Sequence, residues 1–229
     1  MTLKPSFSRA VWAMLVKDLR LEFHTKEMFS ALLIFALLVA VAFSFAFDVA
    51  PEGLREVFPG MIWVAFFFAG MLALNRSFAS EKQNGCLQAL MLGPFDRSAI
   101  YFAKVIGNLL VMLASEVVLT PLFFIFFDMR LDGSIWLLAA IWLLATFGFI
   151  AVGTLLSALA AQARASEILL PIIVFPVITP VVMAAVKSTA GLLLGARLVD
   201  YAIWLKLLVA YDLIFLAVPF ILFEYLLEV

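Results

Sequence analysis

Residues Glu81 to Ser98 read EKQNGCLQALMLGPFDRS. Charges, two glycines and a proline stand here between long runs of apolar residues. Upstream, Leu74 to Gln83 continues an apolar segment in helical pattern, and Asn84-Gly85 is a helix stop. Cys86 to Leu92 fits a short second helix with Leu87, Leu90 and Met91 on one side. Gly93-Pro94 breaks it, and Asp96 or Ser98 can cap the helix that follows. The pattern is helix, break, short helix, break, helix. Ordinary connections are far shorter than this one, and a short surface helix with apolar knobs is suited to a groove on another protein.

The rest of the chain explains why such an excursion stands out. Of 229 residues, 66% are hydrophobic and only 14% charged, with a mean hydropathy of +1.18. A soluble domain runs near half apolar and a quarter charged, so this composition leaves nothing to face water. The fold class is all-α, a polytopic membrane protein forming one transmembrane domain over 1–229. About 20 apolar residues cross a bilayer, and six such runs are present: Phe29–Phe47, Val57–Leu74, Ile100–Phe127, Ile135–Ala161, Ile168–Val186 and Leu205–Leu227. Polar or turn-rich stretches separate them, at Asp48–Glu56, Arg76–Ser98, Asp128–Ser134, Gln162–Glu167 and Lys187–Trp204.

Lysine and arginine set the orientation. With the N-terminus in the cytoplasm, that side holds Lys4, Arg9, Lys17, Arg20, Lys26, Arg76, Lys82, Arg97, Lys104 and Arg164, and the far side Arg55, Arg130, Lys187, Arg197 and Lys206. An even number of spans returns the C-terminus to the cytoplasm. Residues 1–28 form a cytoplasmic interfacial helix and 75–99 a second cytoplasmic segment. Between Ser6 and His24, helical periodicity puts Arg9, Lys17, Arg20 and His24 on one stripe and Phe7, Val11, Met14, Leu15 and Leu21 on another. Asp18 and Glu22 fall on the apolar side and need partners.

Several chemistries are excluded. With one cysteine (Cys86) and one histidine (His24), no internal disulfide and no usual zinc or haem ligand set can be built within the chain. No metal site, catalytic residue or phosphate-binding glycine loop is expected, so any ATP is bound by another chain. A net charge of −1 without basic runs gives no sign of nucleic acid. His24 reads as a solvated headgroup contact and Cys86 as structural.

Three features inside the spans invite function. Glu116 and Asp212 are acids at bilayer depth, Asp212 in the outer half of its span. Such groups face protein or water, as part of a pathway or as carboxyls bonded to a neighbouring helix. Pro171, Pro176 and Pro180 crowd into LLPIIVFPVITP, where each removes a backbone donor, and the expectation is a broken helix serving as a hinge.

Glu81-Lys82, Gly85, Leu90, Pro94 and Lys104 resemble the pattern that follows the second span of ABC-2 type exporter permeases. There this segment is the coupling helix that docks on an ATPase. Together with PGMIWVAFFFAGMLALNRSF before it, DRSAIYFAK after it and EILLPIIVFPVITP later, the chain resembles the CcmB family of bacterial cytochrome c maturation along nearly its whole length. Family members with Glu are known where this chain has Asn75.

The resemblance implies a bacterial inner-membrane subunit that handles haem for c-type cytochromes and binds no cofactor alone, haem being its possible substrate. It implies ATP in a CcmA-like subunit, membrane partners like CcmC and CcmD, and a CcmE-like haem chaperone reached indirectly. ATPase coupling falls to Glu81, Lys82, Gly85, Leu87, Leu90 and Pro94. The lack of an outer histidine or a tryptophan-rich outer motif favours ATP-driven chaperone release over haem conduction. The alternatives are an ABC-2 permease for a drug, lipid or glycan, and a non-conducting scaffold.

Overall fold

The computed structural model describes residues 6–46, 51–83, 97–160 and 166–226. Among them the chain forms seven helices: α1 Phe7–Thr25, α2 Glu27–Ala46, α3 Pro51–Gln83, α4 Arg97–Phe126, α5 Ile135–Ala160, α6 Ser166–Leu193 and α7 Leu198–Leu226. Six of them, α2 to α7, are long and apolar enough to cross a membrane. The expected span count stands. Helices are what hydrocarbon demands, because each satisfies its own backbone N–H and C=O groups.

α3 is the axis of the bundle. It is the most enclosed of the spans: Phe58, Ile62, Trp63, Ala65 and Leu74 are completely buried, while one stripe, Val57, Val64, Phe68 and Leu72, stays exposed. Around Trp63 the contacts are aromatic: Phe67 at 5.3 Å, Trp142 at 5.1 Å and Phe66 at 5.8 Å between ring centroids. Phe58 meets Phe124 and Phe127 edge-on a turn further out. α2 packs differently. Leu32, Ala36 and Ala40 face inward at four-residue spacing, while Ile34, Leu38 and Phe45 stay exposed. Alanines permit the close backbone approach that membrane helices use in place of the hydrophobic effect.

α1 does not continue into α2. Lys26 adopts a left-handed conformation (φ 52°) and returns its N–H to the Glu22 carbonyl, which ends α1 and redirects the chain. α1 then packs along the first turns of α4: Ala10 and Met14 lie against Ala99, Ile100 and Ala103, and Phe7 meets Phe102 edge-on at 6.0 Å. α4 holds 30 residues, about 45 Å at 1.5 Å per residue, against a hydrocarbon core of about 30 Å. Its surplus length gives α1 a foot to grip outside the oil.

Three expectations need correction. The stretch Lys187–Trp204 is not a long polar connection. α6 runs to Leu193 and α7 begins at Leu198, because Ser188 and Thr189 are buried in the bundle and Gly195, at φ 69°, supplies the left-handed turn that stops the helix. α7 therefore starts earlier, and Asp212 lies near its middle rather than in its outer half. The expected break at Pro171, Pro176 and Pro180 is also absent, since all three sit inside the continuous helix α6. Neighbouring helices re-satisfy backbone groups that proline frees. Likewise, the expected polar stretch Asp48–Glu56 is helical from Pro51 onward, a proline being well tolerated in the first turn.

The asymmetry of α2 can be tested. Ala40→Leu should overpack the inner face and cost about 1–3 kcal/mol, read as a lower melting temperature in detergent. Leu38→Ala, on the outer face, should change stability by less than about 0.5 kcal/mol. A larger loss at Leu38 than at Ala40 would reverse the assignment of the faces.

Candidate functional site

Polar side chains inside the bundle form a seam between α4 and α5. Asn108 Nδ2 donates to Thr154 Oγ1 at 3.4 Å, Thr146 Oγ1 donates to Glu116 Oε1 at 2.7 Å, and Trp142 Nε1 donates to Thr120 Oγ1 at 3.2 Å. Each step along α4 is matched by an equal step back along α5, as an antiparallel pair requires. Nearer the foot, Tyr101 OH donates to the Ala151 carbonyl at 3.0 Å. In hydrocarbon these groups have no water to turn to, so each bond fixes the register of the two helices.

The two intramembrane acids both touch α5. Glu116 is 2% exposed and takes its bond from Thr146 on one side of that helix. Asp212 lies on another side, where a Cβ on Gly148 would come within 2.6 Å of its Oδ1. Thr146 and Gly148 are two residues apart, hence about 200° around the helix. α5 thus stands between the carboxyls at one level, and the notch left by Gly148 is what admits Asp212. Among the described residues, Glu116 Oε2 and both oxygens of Asp212 are buried with no hydrogen-bond partner. Tyr211, next in sequence to Asp212, donates to the Val177 carbonyl at 2.9 Å and so ties α7 to the proline-rich stretch of α6.

At the foot, the acids of α1 have their partners. Asp18 lies 2.9 Å from Lys104 Nζ on α4 and 3.0 Å from Lys17. Glu22 accepts the backbone N–H groups of Met28 and Phe29 at 3.3 and 2.8 Å, so it caps α2 and fixes the bend at Lys26. Lys104, counted from sequence among the cytoplasmic charges, is 7% exposed. His24 is exposed, with Nδ1 2.9 Å from the Arg20 carbonyl.

The backbone of Glu81 and Lys82 closes α3, whereas Gly85, Cys86, Leu87, Leu90 and Pro94 lie outside the described residues. α3 ends at Gln83 and α4 begins at Arg97, and α1 packs on the first turns of α4. Thr146, Gly148 and Thr189 escaped the sequence reading. Their signal is weak, a single small or hydroxyl residue in an apolar run, and only a facing side chain gives it meaning.

A model of the CcmB protein family matches residues 9–225. The chain belongs to the CcmB family. The match takes in all seven helices, and with them the α1 foot, the α4–α5 seam and both acids. Heme exporter protein B of Rhodobacter capsulatus is 27% identical over 168 residues, covering 73% of this chain and 77% of the relative. Heme exporter protein B of Pseudomonas aeruginosa is 27% identical over 200 residues, 86% of this chain and 88% of the relative. That of Escherichia coli K12 is 36% identical over a shorter stretch of 101 residues, 44% and 46% of the two chains. Membership of the CcmB family makes the chain a multi-pass membrane component.

The Gly148 notch gives a prediction. Gly148→Ala should displace the Asp212 carboxyl and destabilise the α5–α7 contact by about 1–3 kcal/mol. Adding Asp212→Ala should recover most of that loss, because the clashing oxygen is gone. Additive losses in the double variant, measured by thermal melting, would show that the two residues do not meet.

Proposed function

We propose that the chain is the membrane subunit of an ABC-type complex that handles haem during c-type cytochrome assembly, driven by ATP hydrolysed in a separate subunit. The observation that carries this reading is the family match across residues 9–225, together with relatives called heme exporter protein B. On this reading the N- and C-termini are cytoplasmic, and α1 and the segment from Glu81 to Pro94 face the ATPase side. The complex holds a CcmA-like ATP-binding subunit and CcmC- and CcmD-like membrane partners, and acts on a CcmE-like haem chaperone.

The packing supports a relay of motion to those partners in preference to passage of haem through this chain. The half of the bundle away from α1 is filled by Phe58, Trp63, Phe66, Phe123 and Trp142, none more than 6% exposed. The foot, by contrast, is joined for transmission. A push on the segment between α3 and α4 reaches α4 directly, α1 through the Asp18–Lys104 pair and α2 through the Glu22 cap. Leu87 and Leu90 are the docking knobs, Gly85 and Pro94 set the turns, and Glu81 and Lys82 orient the contact. α6 stays continuous through Pro171, Pro176 and Pro180, and the backbone donors those residues remove leave that stretch the easiest part of the helix to bend. Glu116 keeps its bond from Thr146, and Asp212 its place in the Gly148 notch, through that motion.

A Leu87→Asp, Leu90→Asp double variant should insert, melt normally and keep its membrane partners. It should lose the ATP-binding subunit in a pull-down from matched membranes, and cytochrome c maturation with it. Equal recovery of the ATPase with the variant would remove the coupling assignment.

A further inference from the structure

The sequence of α1 holds three cations, Arg9, Lys17 and Arg20, two acids, Asp18 and Glu22, and His24. Folding sorts them. Asp18 sits between Lys17 and Lys104, and Glu22 on the N–H groups of Met28 and Phe29. Arg9, Lys17, Arg20 and His24 are exposed. A segment that is almost neutral in sequence therefore presents a cationic face.

That face carries a repeat. Arg9-Ala-Val-Trp12 and Arg20-Leu-Glu-Phe23 each place an arginine three residues before an aromatic ring. Eleven residues separate the two units, almost a whole number of turns, so both arginines fall on one line and both rings on another. Trp12 is 67% exposed and Phe23 74% exposed, although the opposite side of the same helix is buried against α4. Rings of this size are not left bare to water on a helix beside the bilayer. Arginine next to an aromatic is the composition of a helix whose charges meet phosphates while its rings enter the top of the acyl layer. The units stand about 16 Å apart along the axis. α1 ends one residue before the spanning helix α2, which holds this face at headgroup level.

We propose that α1 binds anionic phospholipid, with Arg9 and Arg20 taking headgroup phosphates and Trp12 and Phe23 seated beside them. The sorted charge favours an anionic over a zwitterionic surface, and the paired bare rings favour a lipid surface over an acidic protein. Through Asp18 and Lys104 such binding reaches α4. The inference rests on the chain lying in a membrane, and not on its substrate or its ATPase.

The test is native mass spectrometry of the full chain in detergent, titrated with phosphatidylglycerol or with phosphatidylcholine. The wild type should retain phosphatidylglycerol preferentially. An Arg9→Gln, Arg20→Gln variant should bind it about thirtyfold less tightly, given about 1 kcal/mol for each of the two basic residues at an anionic surface, with an unchanged melting temperature. Arg9→Lys, Arg20→Lys should keep most of the binding, since the charge is retained. Arg130→Gln, Arg197→Gln makes the same change of charge among exposed residues at the other end of the bundle and should leave the preference intact. The proposal is overturned if the glutamine variant at Arg9 and Arg20 keeps the preference, or if the control at Arg130 and Arg197 loses it to the same degree.

Discussion

Hydrocarbon offers no hydrogen-bond partner, and that constraint organises this chain. It makes the backbone helical, and it also decides where side-chain polarity can go. Asn108, Glu116 and Thr120 on α4 find Thr154, Thr146 and Trp142 on α5. The Trp63 indole on α3 finds Thr189 on α6 at 2.8 Å. Van der Waals packing alone would let neighbouring apolar helices slide by a turn. These bonds do not, because a slip would strand several polar groups in oil together. The alanine face of α2 has no such lock, and α2 is the least enclosed of the spans.

The elements whose signal is local were legible in the sequence. Six apolar runs gave six spans, and the amphipathic period of residues 6 to 24 gave α1 almost to the residue. The need of Asp18 and Glu22 for partners was legible too, since helical angle alone put them on the apolar side. What they pair with was not. Lys104 is far away in sequence and looks like any basic residue near the start of a span. The long polar connection expected at Lys187–Trp204 failed for a related reason. Ser188 and Thr189 read as loop until Trp63 is seen to need a hydroxyl there. Prolines misled in the other direction, because their penalty depends on whether neighbouring helices support the freed backbone, and one sequence segment cannot tell.

The two ends of the bundle use different forces. Away from α1, the contacts are rings against rings, and deep burial of Phe58, Trp63 and Phe123 makes that end hard to deform. At the foot, beside the ring pair of Phe7 and Phe102, contacts are small or charged: Ala10 and Met14 on Ala99 and Ala103, and Asp18 on Lys104. Alanine surfaces tolerate sliding better than interlocked rings, and an ion pair keeps its attraction over small displacements, since Coulomb energy falls only with the first power of distance. A movement applied between α3 and α4 is therefore absorbed at the foot and passed along stiff helices, without melting the far end.

α5 is where such a movement would register. It carries Thr146 on the Glu116 side and Gly148 on the Asp212 side. A rotation of α5 that kept one contact would break the other, because the two positions lie about 200° apart. Turning Gly148 away would bring a residue with a Cβ against Asp212, and turning Thr146 away would leave Glu116 without its donor. The only motion that spares both is one in which α4, α5 and α7 travel together. The Thr146–Glu116 bond and the Gly148 notch thus link α4, α5 and α7, Tyr211 and Trp63 hold α6 to α7 and α3, and relative movement is left to α2, whose alanine face carries no such tie.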